Sequence, residues 1–237
     1  MEKNKTGKYF KYAIGEIVLV VLGILIALQI NNWNEINKTN KLETKILKEL
    51  QVNLILDLKE LQSDLSYMDD INNTCLNIKE FIKEFQIAND SIFKVFSVLR
   101  VTPHFDPNKS GYQLLQSKGV EIISNDSLRN SISLLYERSY PYYKRYEEER
   151  LRFHAMHSEP KLLEYFSMFF NPTKRYYGDF KISQEDYNKL RNDPTFLKLL
   201  SAIAFENSAQ QNRGERTEQG IFLLLKSIEK ELSSKIH

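Results

Sequence analysis

The sequence predicts an all-α protein: an N-terminal transmembrane helix followed by an antiparallel helical bundle with a cluster of short helices at one end. Three observations carry this. Only 8 Gly and 6 Pro punctuate 237 residues, too few for the many turns of a sandwich or barrel. Residues 17–28 read IVLVVLGILIAL, without a polar side chain. From Leu47 onward, apolar residues recur at alternating four- and three-residue spacing, the signature of a long amphipathic helix.

The chain divides into a short basic tail (1–11), a span (12–30) and a helical soluble domain (31–237). The 19 residues from Tyr12 to Ile30 are interrupted only by Glu16 and Gln29. As a helix they reach about 28 Å, close to the hydrocarbon thickness of a bilayer. Ten Ile, Val and Leu side chains in the central run contribute about −3 to −6 kcal/mol toward insertion. Tyr9, Phe10 and Tyr12 on one side and Trp33 on the other supply an aromatic belt. No small-x-small cleavage pattern follows Leu28, which favours an uncleaved anchor over a signal peptide. Lys3, Lys5, Lys8 and Lys11 precede the span and Lys38, Lys41 and Lys45 follow it. That slight bias orients the N-terminus to the cytoplasm and the domain outward, for an inner-membrane protein with a periplasmic or extracytoplasmic domain. Gly23 and Ala27 form a small-xxx-small pair that would allow two spans to pack as a homodimer.

In the soluble part, Leu47, Leu54, Leu61, Met68 and Cys75 occupy one seam. Leu58 and Leu65 occupy a second, interrupted by Gln51 and Asn72. This helix is expected to end near Ala88. Asp90 or Ser91 should cap a short helix through Leu99. Ser110 opens a helix that stops at Gly119, and Ile122 and Ile123 plug the turn after it. Asn125 or Asp126 caps the next helix, with Leu128, Ile132, Leu135, Tyr136 and Tyr140 inward. Pro141 is expected to kink or break it, and a second half should run to about His157, before Pro160. Leu162, Leu163, Tyr165, Phe166, Phe169 and Phe170 read as a short apolar helix. After the loop NPTKRYYGDF, Ser183 and Asp186 make a capping box. Pro194 starts a last helix to about Lys235, with Ile221, Leu225, Ile228 and Leu232 as its stripe.

Charge excludes one function class. Residues 1–33 hold four Lys against Glu2 and Glu16, which accounts for the whole net charge of +2; the remainder is balanced. A neutral domain lacks the footprint of a nucleic-acid binder. Cys75 is the only cysteine, so no intrachain disulfide forms, and a buried apolar role is expected for it.

The stretch KYFKYAIGEIVLVVLGILIALQINNWNE (8–35) resembles the start of an uncharacterised family of single-pass membrane proteins abundant in flavobacteria and their relatives. GYQLLQSKGVEIISNDSLRNSISLLYE (111–137) is similar to that family's second recurring block. The resemblance implies membrane attachment and a helical domain. It supplies no activity and no functional residues.

Candidate chemistry is sparse. Asp106, Asn108, Ser110 and Gly111 imitate half of a calcium loop, but Ser117 stands where a bidentate Glu is required, so a turn is expected. Glu147, His154 and His157 have helical spacing for a metal, but Arg150 would repel a cation, and EEERLRFHAMH reads as a charged face with Phe153 and Met156 inward. Tyr136, Tyr140, Tyr142, Tyr143 and Tyr146 crowd around Pro141 beside Arg138, Lys144 and Arg145. The helical spacing of Tyr136, Tyr140 and Tyr143 reads as a core stripe, with a carbohydrate or lipid headgroup contact of the cluster as the alternative. The middle of the last helix, with Glu206, Asn207, Gln210, Gln211, Arg213, Glu215, Arg216 and Glu218, reads as solvated rather than as the lining of a ligand cavity. No nucleotide, hydrolase or zinc-protease motif occurs. The sequence therefore assigns no catalytic, cofactor-binding or metal residue. Its implied partners are the lipid bilayer and a second copy or another membrane protein. The expected role is a non-enzymatic envelope interaction, scaffolding or ligand-sensing module, with a membrane-bound enzyme as the alternative.

Overall fold

The computed structural model describes residues 5–89, 95–169 and 179–235. Helix α1 (Lys5–Glu84) is continuous for 80 residues, about 120 Å of rod. Its apolar stretch from Ile14 to Ile30 is covered by no other part of the chain, as the anchor reading requires. This is the one described helix long and apolar enough to cross a membrane.

Beyond Glu43 the same helix turns one side inward. Leu47, Leu54, Leu61, Met68 and Cys75 are all buried, as the heptad predicts. Ile46, Leu50, Ile71, Ile78 and Ile82 join them. The buried stripe is thus broader than a two-position seam, because it faces several elements of its own chain rather than one partner helix.

Helix α2 (Ser110–Lys118) ends at Gly119, whose φ of 93° permits the reversal. A 3-10 turn (Val120–Ile122) follows, with Ile123 buried behind it. Helix α3 runs over 126–163, with Asn125 as its N-cap accepting from the Leu128 N–H. It does not break at Pro141 and does not stop before Pro160, contrary to the sequence expectation. Instead it widens into π-helical turns, Leu134–Ser139 and His154–Ser158, immediately before each proline. Tyr140 N–H donates to Leu135 O and Glu159 N–H to His154 O, five residues back. A locally wider helix relieves the clash between a proline ring and the carbonyl four residues earlier, so the rod continues.

Helix α4 (Gln184–Arg191) carries the expected Ser183 N-cap. Helix α5 (Pro194–Ser234) is capped by Asp193. Along α1 and α5 the contacts run in opposite order. Glu43 meets Lys235, Gln62 meets Glu218, Asp69 meets Gln211, and Asn72 meets Asn207.

Two further expectations are corrected and a third falls outside the described residues. Helix α1 ends at Glu84, short of Ala88, because side chains of α4 take its terminal carbonyls: Arg191 Nε donates to Ile82 O and Tyr187 OH to Phe85 O. The proposed Asp90 or Ser91 cap lies outside the described residues, and Val98–Arg100 forms a 3-10 turn. The apolar stretch after Leu163 is a strand, not a helix: β1 (Phe166–Phe169) pairs antiparallel with β2 (Asp179–Ile182), with Phe166 opposite Ile182. Aromatic residues suit a half-buried pleated surface, and Phe166 stacks on Phe180 with ring centroids 4.1 Å apart. Phe170 lies outside the described residues.

Two hydrophobic clusters result. The lower one, nearer the anchor, joins Ile46–Met68 to Tyr112, Leu128–Tyr143 and Ile221–Ile228. The upper joins Ile71–Ile82 to Phe96, Leu162, the hairpin, α4 and Phe196–Ile203.

Candidate functional site

Polar side chains enter this interior in two ways. On the lower part of α1, three buried side chains fasten the connections. Glu43 accepts from Ser124 N–H and Oγ and from Lys235 Nζ. Asn53 accepts from Ser110 Oγ and Gly111 N–H. Asp57 accepts from Asn108 N–H and Nδ2 and, at 2.7 Å, from Tyr140 OH. Burial still holds the Asp57 carboxyl above its usual range, although these bonds oppose it. The calcium-like stretch is therefore tied to α1 through Asn108, Ser110 and Gly111, and Lys109 rather than Ser110 takes the helix N-cap position. A Cβ on Gly111 would lie 2.9 Å from the Leu50 backbone nitrogen, so α2 sits against α1 only because that residue has no side chain.

Higher up, between the two hydrophobic clusters, lies a second polar set with open valences. Arg150, Glu147, His154 and Ser158 come from α3, Asn207 and Gln210 from α5, and all six are buried. Arg150 is 1% exposed, yet none of its three guanidinium nitrogens has a partner among the described residues. Glu147 Oε2, His154 Nδ1, Ser158 Oγ, Asn207 Oδ1 and Gln210 Oε1 are equally unpaired, and Tyr143 OH has no well-formed bond, though the Gln210 amide lies close enough to interact with it. What bonds exist hold the layer's edges. Glu147 accepts from Phe105 N–H at 2.6 Å, Gln210 Nε2 donates to Pro103 O, and Asn207 Nδ2 donates to Met68 O and Asn72 Oδ1. Gly214 makes room: a Cβ there would lie 2.9 Å from Leu65 and 3.3 Å from Tyr143.

Burial sets the ionisation of this layer. It raises the Glu147 carboxyl to about 7 and the Asp64 carboxyl beside it to about 6. It lowers the Arg150 guanidinium, which Glu206 partly supports, and lowers His154, which Arg150 also repels. The Cys75 thiol is pushed up to about 11, so it stays protonated and unreactive, as its buried apolar role predicts. His154 and Ser158 do not bond to each other, since Ser158 Oγ has no partner.

This corrects two sequence readings. The face Glu147–Arg150–His154 points inward, while Met156 is 63% exposed and His157 is exposed. The middle of α5 is not solvated throughout: Asn207, Gln210, Gly214 and Thr217 are buried. Arg150 was legible only as a cation-repelling neighbour, although its spacing to Glu147 and His154 was the signal for a shared face. Among the described residues no group of three His, Cys, Asp or Glu is placed to hold a metal.

On the outer side of the same α3–α5 contact, Arg138, Ser139, Tyr142, Arg213, Arg216 and Thr217 line an open cleft of about 330 Å³. Tyr136, Tyr140 and Tyr143 are core residues, as expected, whereas Tyr142 is 42% exposed.

The architecture defines a largely helical protein with one apolar N-terminal helix consistent with a single-pass anchor. The chain belongs to a family of unknown function (DUF6090), whose sequence pattern matches residues 16–172. That match takes in the apolar helix, the rest of α1, α2 and α3, and ends before α5. No curated protein and no solved structure matches the chain.

Proposed function

We propose that this is a single-pass membrane protein whose extracytoplasmic domain receives a small polar ligand in the layer between its two hydrophobic clusters. The reading takes 1–11 as a cytoplasmic tail, 12–30 as the span and 31–237 as one antiparallel helical bundle. The hairpin and α4 lie at the end away from the membrane, and α2 packs at the end nearer it. The observation that carries it is Arg150. A guanidinium taken out of water with no hydrogen-bonded partner costs several kcal/mol, and here, with only the more distant charge of Glu206 to support it, it sits amid six other unpaired polar atoms. A purely structural layer would close those valences on one another, as Glu43, Asn53 and Asp57 do lower down. Arg150 and Ser158 donate, while Asn207 and Gln210 offer amide oxygens. The set fits a compact molecule carrying an anionic group and at least one hydrogen-bond donor.

Native mass spectrometry of the full chain, extracted from its own membrane in mild detergent, tests this. A bound small molecule that is lost in Arg150→Met supports it; a bare mass for the wild-type chain at every detergent condition overturns it. Topology is tested separately. In a Cys75→Ser background, an impermeant maleimide on intact cells should label Ser234→Cys and spare Asn4→Cys, and the reverse pattern would put the domain in the cytoplasm.

A further inference from the structure

We infer that the outer cleft between α3 and α5 is a second, independent site that binds a soluble oxyanion of the phosphate class through Arg138, Arg213 and Arg216. Three guanidinium groups line one cleft, and no carboxylate is among its lining residues. Among the described residues Arg138 and Arg216 form no ion pair, so their charge is not cancelled locally. The guanidinium of Arg145 adds a fourth cation at the rim, 5.4 Å from the Tyr142 ring centroid. Four positive charges on one patch repel one another, and a multiply charged anion relieves that repulsion.

The cleft is also shaped in advance. Arg213 lies 4.3 Å from the centroid of the Tyr146 ring, a cation–π contact that fixes the plane of its fork. Its Nε is buried without a partner. Tyr142 and Tyr146 hydroxyls are 3.3 Å apart, and Tyr146 and Arg213 together hold the Tyr142 phenol below its usual range. Thr217 Oγ1 is anchored on Arg213 O at 2.9 Å. The π-helical turn before Pro141 brings Arg138 and Ser139 to the same side as Tyr142. Ser139 and Thr217 hydroxyls already donate to backbone carbonyls, so the remaining hydroxyl donor is the Tyr142–Tyr146 pair. Bidentate guanidinium–oxyanion pairing with such a donor alongside is the recognition chemistry of phosphate groups.

Phosphate can be free or carried on a lipid headgroup, and the length of α1 argues for the free form. The cleft is level with Leu65, against which Gly214 packs. Leu65 is 35 residues beyond Ile30, about 52 Å along a helix axis, and still about 40 Å from the anchoring bilayer at a tilt of 40°.

Calorimetric titration of the full chain in zwitterionic nanodiscs with inorganic phosphate tests the site, with chloride as the ionic-strength control. Saturable sub-millimolar phosphate binding is expected, weakened about tenfold in each of Arg138→Gln and Arg216→Gln. Arg216→Lys, which keeps charge but not the fork, should fall between wild type and Arg216→Gln. Unchanged thermal melting of these variants separates lost binding from lost folding. Absence of saturable binding at millimolar phosphate, or equal binding by wild type and both glutamine variants, overturns the proposal. A parallel arm adds phosphatidylglycerol vesicles. Binding to vesicles without binding to phosphate would reassign the cleft to a second membrane and overturn the soluble-anion reading. Because Arg150 is untouched in these variants, failure here leaves the interior site standing.

Discussion

The two sets of buried polar residues on opposite sides of Leu61 differ in one respect: the lower set is saturated and the upper set is not. Glu43, Asn53 and Asp57 each accept at least two donors from the connections that cross α1. Arg150, His154, Ser158, Asn207 and Gln210 retain open valences at equal burial. Polar groups that fold a chain are matched within it, because an unmatched one costs more than its removal. On the proposed reading, the groups left unmatched are matched by a ligand, and the contrast separates fastening from binding within one interior.

The sharpest way to break this contrast is to remove one member of each set. Asp57→Ala leaves Asn108 and Tyr140 without their acceptor and should cost about 3–5 kcal/mol, read from denaturant melts of the full chain in detergent. Arg150→Met removes a buried charge and fills its volume, so the ligand-free chain should gain about 1–3 kcal/mol. Equal losses in both variants would show that the upper layer is structural too.

Glu147→Gln sharpens the contrast through pH. The Glu147 pKa is raised in the folded state to about 7 from an ordinary 4.5. The folded chain therefore holds that proton more tightly. The associated stability is fully present below about pH 4.5 and is lost as pH rises through about 7. Glutamine copies the protonated form and keeps an acceptor for Phe105. The variant should match wild type near pH 5 and exceed it by up to about 2 kcal/mol near pH 8. Asp64, Asp106 and Lys144 also face this carboxyl, and His154 opposes the trend, since its lowered pKa removes stability as pH falls below 6.5. His154 titrates in wild type and variant alike, so the difference between the two melting curves reports Glu147 together with its coupling to Asp64, Asp106 and Lys144. A pH-independent difference would contradict the assignment. The smallest effect is at a cap: Asn125→Ala removes the acceptor for Leu128 N–H and should cost about 1 kcal/mol, without altering any ligand response.

Much of the helical framework was legible because periodicity reports burial directly. The seam from Leu47 to Cys75, the Ser183 and Asn125 caps and the Tyr136–Tyr140–Tyr143 stripe all follow local rules. The misreadings come from non-local compensation. Pro141 and Pro160 looked like breaks, but π-helical turns absorb them. Phe166 to Phe169 looked helical because an apolar run carries no direction, and only the partner strand reveals the pairing. The polar interior was inverted for a related reason. Charged residues at helical spacing read as a solvated face unless the opposite face is known to be engaged. Phe153 does pack against the upper cluster, as expected, but Met156 is exposed and the charged face is buried beside it. Arg150 is placed inward only by the packing of α3 against α1 and α5, which buries it.

The central claim is that Arg150 answers to something other than this chain. An experimental density map of the full chain, purified from its own membrane, examines that guanidinium directly. A non-protein molecule is expected within hydrogen-bond distance of Arg150 and Ser158. A guanidinium closed onto the Glu147 or Glu206 carboxylate, with the remaining valences paired among side chains, would contradict it.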